Sequence, residues 1–148
     1  MSRLSPTRIL LFAAAAPLLL RFVDLERLGR WLEPANPARI PRPGRRSAED
    51  LVWRVDRLLR LGWPVVRRGC LVRGLTLYRF LREAGFDVSL CFGLGRPEGE
   101  ADFTGHCWIE MDGRALAEKR EPRGIYTETY RLTPPRGEAP AMARPTTA

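Results

Sequence analysis

The sequence has one histidine, His106, one lysine, Lys119, and three cysteines with no CxxC pair. Each scarcity excludes something. An odd number of cysteines without paired spacing does not build a disulfide framework and fits a reducing compartment, so the expected location is cytoplasmic. Cys70, Cys91, Cys107 and His106 lack metal-ligand spacing, and the adjacent His106 and Cys107 would point to opposite sides of a strand, so neither a metal nor a cofactor is expected. The main apolar run, Ile9 to Leu20, ends at Arg21 after a dozen residues and is too short to span a bilayer. It follows Arg3 and Arg8 as a secretory signal would, but a helical pattern continues through Leu28 with no cleavage-like site. Residues 6–32 therefore read as a helix pair, kinked at Pro17, that packs in the fold or meets a partner or a membrane surface.

What is present is one domain's worth of chain, 148 residues, and an excess of arginine: 25 basic against 17 acidic side chains, a formal charge of +8. That charge favours an acidic partner or surface. The arginines are scattered and not gathered in one block, so they read as a solvated surface and no nucleic-acid face is expected.

Residues 33–46 carry Pro34, Pro37, Pro41 and Pro43 and read as a stiff linker inside one unit. Ser47 then reads as an N-cap with acids behind it, before Leu51, Val55, Leu58 and Leu59 at helical spacing, with Trp53 as a packing residue. Gly62 and Pro64 stop that helix. A second helix carries Leu71, Leu75, Tyr78 and Leu81 on one face and closes at Gly85. Phe86 to Gly93 alternates as a strand with Val88, Leu90 and Phe92 on one side, followed by an acidic loop to Thr104. Gly105 to Glu118 reads as a hairpin turning at Asp112-Gly113, and Ile125 to Leu132 as one more strand. The expected plan is a single α+β domain over 1–132, with N-terminal helices at 1–32, a core at 47–132 and a disordered tail at 133–148.

Cys70 falls at the start of the second core helix. Unpaired N–H groups and the helix dipole stabilise a thiolate there, and Arg67, Arg68 and Arg73 add positive charge, so its pKa should lie below the free value of about 8.5. His106 is the sole imidazole, and any mechanism that needs one must use it. A helix-borne cysteine followed by a strand-borne histidine is the arrangement in which imidazole takes the thiol proton and later protonates a leaving amine.

The runs Cys70-Leu71-Val72-Arg73-Gly74-Leu75-Thr76-Leu77-Tyr78 onward to Gly85, and Gly105-His106-Cys107-Trp108-Ile109-Glu110-Met111-Asp112-Gly113, resemble the transglutaminase-like cysteine proteases of lasso-peptide biosynthesis. That family's pattern is C-L-x-R-[SA]-L-x-L-x-x-x-L-R-x-x-G, then H-x-W-x-E-x-[DG]-G with an acid twelve residues after the histidine, and the likeness covers about residues 50–120. The resemblance implies a papain/transglutaminase-like core with a Cys70, His106, Glu118 triad, and removal of a leader from a ribosomally made precursor peptide. It implies two partners, a separate leader-recognition protein and an ATP-dependent cyclase that closes the ring. Trp63, Phe92 and Trp108 are expected pocket walls. Gly74 replaces the family's Ser or Ala, and Glu118 its usual aspartate. A strict two-residue turn would face Glu118 away from His106, so an extra loop residue or bulge is expected in the hairpin. A transglutaminase-type acyl transferase, a non-catalytic peptide-binding module and a basic nucleic-acid binder remain as alternatives on these residues.

Overall fold

The structure, a computed structural model, describes residues 5–34, 44–62, 66 and 69–134. Trp63, Pro64, Arg67 and Arg68, most of the proline-rich linker and nearly all of the C-terminal tail lie outside the described residues. Helices α1 (Pro6–Phe22), α2 (Leu25–Leu32), α3 (Arg45–Leu61) and α4 (Cys70–Glu83) come first. Strands β1 (Ser89–Gly95), β2 (Thr104–Met111), β3 (Arg114–Ala115) and β4 (Tyr126–Leu132) follow, with a 3-10 turn at Pro122–Gly124. They form one antiparallel sheet in the order β3-β2-β1-β4. The expected α+β fold class holds.

The centre is α4. It touches α1, α2 and α3 as well as β1 and β2. Being enclosed, it buries more than the single stripe its spacing suggests: Val72, the run Gly74 to Tyr78, Phe80 and Leu81. Leu75, Leu77 and Leu81 are each essentially inaccessible, and burial of each contributes about 1.5–3 kcal/mol. On the helix side, Ile9, Ala13 and Ala16 of α1 repeat at helical spacing, and Phe12 meets Phe80 edge to face at 5.9 Å. On the sheet side, Leu90, Cys107, Ile109 and Met111 point at the helix. The helix ends through Gly85, whose φ of 88° lets the Phe86 N–H reach the Leu81 carbonyl.

Four local expectations are corrected. The break between the N-terminal helices lies at Val23–Asp24, and α1 runs on through Pro17. Gly44, not Ser47, precedes α3, because Arg45 is drawn into the helix start by hydrogen bonds to the Met111 and Ala115 carbonyls of the hairpin. Trp53 is not packed: it is 57% exposed, with Arg57 over its ring. The hairpin has no extra loop residue. Asp112 and Gly113, both at positive φ, form a two-residue turn with Met111 paired to Arg114 and Glu110 to Ala115.

Gly74 sits where α4 crosses β2. A Cβ there would lie 3.0 Å from Cys107 Sγ and 3.0 Å from Leu90 Cδ1. Cys107 thus fills the volume that the Cβ of a serine or alanine would take. Gly74→Ala gains about 1 kcal/mol of helix propensity but meets an overpacking cost of about 1–3 kcal/mol. It should lower the melting temperature of the wild type and raise that of Cys107→Ala, a reversal of sign readable by thermal denaturation.

Candidate active site

Gly69, in extended backbone (φ −171°, ψ 149°), delivers the chain into α4 with Cys70 as its first residue. The first backbone bond of the helix runs from the Arg73 N–H to the Gly69 carbonyl, so the N–H groups of Cys70, Leu71 and Val72 have no partner within α4. Cys70 is exposed, while Cys91 and Cys107 are buried.

His106 reaches this helix end because β3 is short. The Leu116 N–H donates to the Ile109 carbonyl, so Ile109 presents its backbone to the β3 side, and by alternation so does Cys107. The β3 pairing has ended before Cys107, whose N–H is free to donate to Cys70 Sγ. Ala117, at φ 55°, then turns the chain out of the ladder. That turn brings Glu118 Oε2 to 3.4 Å from His106 Nε2. The reversal expected from an extra loop residue is therefore achieved two residues beyond β3. The contact is long for a hydrogen bond, as such contacts often are before substrate binds. Since Glu118 takes Nε2, Nδ1 is the nitrogen left to serve Cys70.

The imidazole is held by rings as well. Tyr126 lies 5.0 Å from it, and Trp108 stacks at 6.1 Å with the planes 16° apart. Trp108 is wholly buried and donates to Glu110 Oε1, so it backs His106 and is not the pocket wall expected of it. Phe92 does line a cavity, of about 380 Å³, together with Cys70, Leu71, His106 and Cys107. Trp63 lies outside the described residues. Two further clefts open at the same point. One, of about 500 Å³, lies between α3 and α4 and includes Leu59, Val66 and Cys70. The other, of about 520 Å³, is lined by His106, Glu118, Lys119, Arg120 and Tyr126. The three share Cys70 or His106 and make a bent groove with the two residues at its middle.

The thiol environments are far apart. Cys70 is lowered to about 5, first because the Cys107 S–H donates to its thiolate, against the opposing cost of burial, then through the Cys107 N–H and the charge and hydrogen bond of His106. Cys107 is raised by donating that hydrogen bond and by burial. Burial pushes Cys91 up to about 12. Arg73, one of the three arginines expected to activate Cys70, is not among these causes. Arg73 spends its guanidinium on Asp56 and Glu118, and Arg67 and Arg68 lie outside the described residues. Cys107 is the residue that sequence reasoning missed. Its signal was the pairing of an inward strand cysteine with a glycine one turn into the helix, visible only once the two elements are known to cross.

Cys91, on the opposite face of the sheet, has the carboxylates of Glu110 and Glu128 close enough that the three donor atoms lie within 4.8 Å of one another. Arg131 bonds both acids and Arg123 bonds Glu110, so that donor set is already neutralised by arginine.

The sequence profile described as Transglutaminase-like superfamily matches residues 10–131. The chain belongs to the transglutaminase-like superfamily. No curated protein and no solved structure matches it. The superfamily includes cysteine proteases and acyltransferases, both of which begin with attack of a thiolate on a carbonyl. In this transglutaminase-like domain helix α4 carries the Cys70 sulfur, β2 carries His106, and the segment after β3 carries Glu118.

Alkylation of Cys70 should persist with little loss down to about pH 6 and fall through about 5 as the thiolate is protonated, while Cys91 and Cys107 stay inert. Hydrogen bonds to a charged group are worth about 1.5–3 kcal/mol and one pKa unit is about 1.4 kcal/mol, so Cys107→Ala should move the midpoint up by about one to two pH units. Peptide-resolved mass spectrometry across pH reads both.

Proposed function

We propose that this transglutaminase-like domain is a cysteine peptidase that removes the leader peptide from a lasso-peptide precursor. The observation that carries the reading is the convergence of an exposed, low-pKa Cys70 with His106 and Glu118 in the middle of an open groove. The lasso assignment rests on the likeness of the Cys70 and His106 runs to that family's two motifs.

In this reading the Cys70 thiolate attacks the carbonyl carbon at the leader–core junction, and the new oxyanion is held by the Cys70 N–H at the start of α4. The Nδ1–H of the His106 imidazolium passes its proton to the departing core amine, leaving the leader as a thioester on Cys70. His106 then takes a proton from water, hydroxide attacks the thioester, and the leader departs as a carboxylate while the thiolate re-forms. Glu118 keeps the other ring nitrogen protonated and the ring in place. No cofactor takes part. The proposed setting is the cytoplasm, with a separate leader-recognition protein presenting the precursor and an ATP-dependent cyclase taking the freed core. No helix among the described residues is long and apolar enough to cross a membrane.

An acyl transferase would follow the same path as far as the thioester and release it to an amine. A synthetic leader–core peptide, incubated with the protein and its recognition partner in H₂¹⁸O, distinguishes the readings. The expected product is a leader carrying one ¹⁸O in its new carboxylate, with turnover lost by about 10³-fold or more in Cys70→Ala. Incorporation of an added amine in place of ¹⁸O makes the domain a transferase, and undiminished function of Cys70→Ala makes it a binding module.

A further inference from the structure

Glu118 has an unusual support. It lies in the segment between β3 and the Pro122–Gly124 turn, outside the ladder, three residues after the last pair of β3. Its side chain, not its strand, therefore has to be located by something else. Both of its oxygens are engaged: Oε2 faces His106 Nε2 at 3.4 Å, and Oε1 accepts from Arg73 Nη1 at 3.0 Å. Arg73 is itself fixed from the other side, by a two-pronged contact of Nε and Nη2 with the Asp56 carboxylate at 2.8 and 3.1 Å.

We infer that Arg73, anchored on Asp56, is a positioning residue that holds the Glu118 carboxylate against His106. The inference rests on the peptidase reading of the site and extends it by two residues, one on α4 and one on α3. The side chains are partly sheltered, with Arg73 26%, Asp56 30% and Glu118 16% exposed, so the ion pairs are screened less than exposed ones. Geometry makes arginine necessary. A guanidinium offers five N–H donors in a rigid plane and can grip Asp56 with one edge while aiming another N–H at Glu118; an ammonium is a point charge on a flexible stem and cannot fix both at once. Arg73 is three residues from Cys70, so the helix that places the nucleophile also places the group that locates its base.

Among the described residues, the charged and titratable groups facing the site are Asp56 and Arg60 from α3, Cys70 and Arg73 from α4, His106 and Cys107 from β2, Glu118, Lys119 and Arg120 after β3, and Tyr126 from β4. An effect passing through Glu118 is separated from a general loosening by a double-mutant cycle. The readout is the rate of Cys70 alkylation with iodoacetamide at about pH 4, below the midpoint of about 5 so that the rate follows the thiolate fraction, and it needs no peptide substrate. Arg73→Lys and Glu118→Gln should each slow it by about tenfold, the equivalent of about one pKa unit at Cys70. Arg73→Lys combined with Glu118→Gln should be no slower than Glu118→Gln alone. Asp56→Asn, which keeps the shape of the anchor, should show the same direction and the same lack of additivity, and it carries the cycle if Arg73→Lys loses its fold by circular dichroism. Wild-type rates in Arg73→Lys, or effects that multiply, overturn the role of Arg73 while leaving the nucleophile intact. A wild-type Cys70 without low-pH reactivity overturns the peptidase reading and this inference with it.

Discussion

The close crossing of α4 over β2 is the constraint on which the rest depends. Gly74 is the point of contact, and the absence of a Cβ there lets the Cys107 sulfur lie against the helix backbone. Any larger residue pushes the helix off the sheet, and with it the first turn that carries Cys70. Packing in an interior of near-crystalline density is felt at the level of single methyl groups. A site whose reacting atoms come from a helix end and a strand cannot be held more tightly than the two elements are packed. Here the packing contact and the contact with the nucleophile are made by the same residue, Cys107, one through its sulfur against Gly74 and one through its N–H and S–H toward Cys70.

The second constraint is where the sheet stops. A β3 continued past Leu116 would cover the edge of β2, pair the Cys107 N–H with a carbonyl and leave no room for the helix end. By ending the pairing at Ala115 and turning at Ala117, the chain exposes that edge over a short stretch. A left-handed alanine costs about 1–2 kcal/mol, and such strain persists only where the surroundings hold it. The surroundings in this case include the Glu118 contacts with Arg73 and His106. Early termination of a strand, usually a loss of backbone hydrogen bonds, here supplies a donor to the thiolate.

Much of this was legible in the sequence. The start of α4 at Cys70, its end at Gly85, the Asp112-Gly113 turn and the strand ending at Leu132 follow from local chemistry, because caps and tight turns are decided by a few adjacent residues. The meeting of Cys70, His106 and Glu118 was legible only through motif likeness, since residues 36 and 48 positions from Cys70 have no local reason to converge. What escaped was tertiary. Ser47 has good capping chemistry, but Arg45 gains two carbonyls of a distant hairpin and the helix starts earlier. Trp108 has the residue type of a pocket wall, yet its strand parity puts it beneath His106 with its N–H on Glu110. Cys107 shows only a small apolar residue until the helix crossing is known.

The two thiols also show how one sequence feature, a cysteine, is given opposite roles by position alone. At the helix end, with donors on its sulfur and the groove in front, Cys70 is held as a thiolate. One strand position beyond the histidine and enclosed against α4, where burial and the hydrogen bond it donates outweigh the charge of Arg73, Cys107 is held as a thiol and has only a proton to share. Each state supports the other, because a thiolate is the acceptor that makes a buried S–H donor satisfied, and the donor in turn stabilises the thiolate. Two like groups driven apart in pKa by their surroundings are how acid and nucleophile are separated in one site. In this chain the separation is set by packing at Gly74 and by the end of β3, before any substrate arrives.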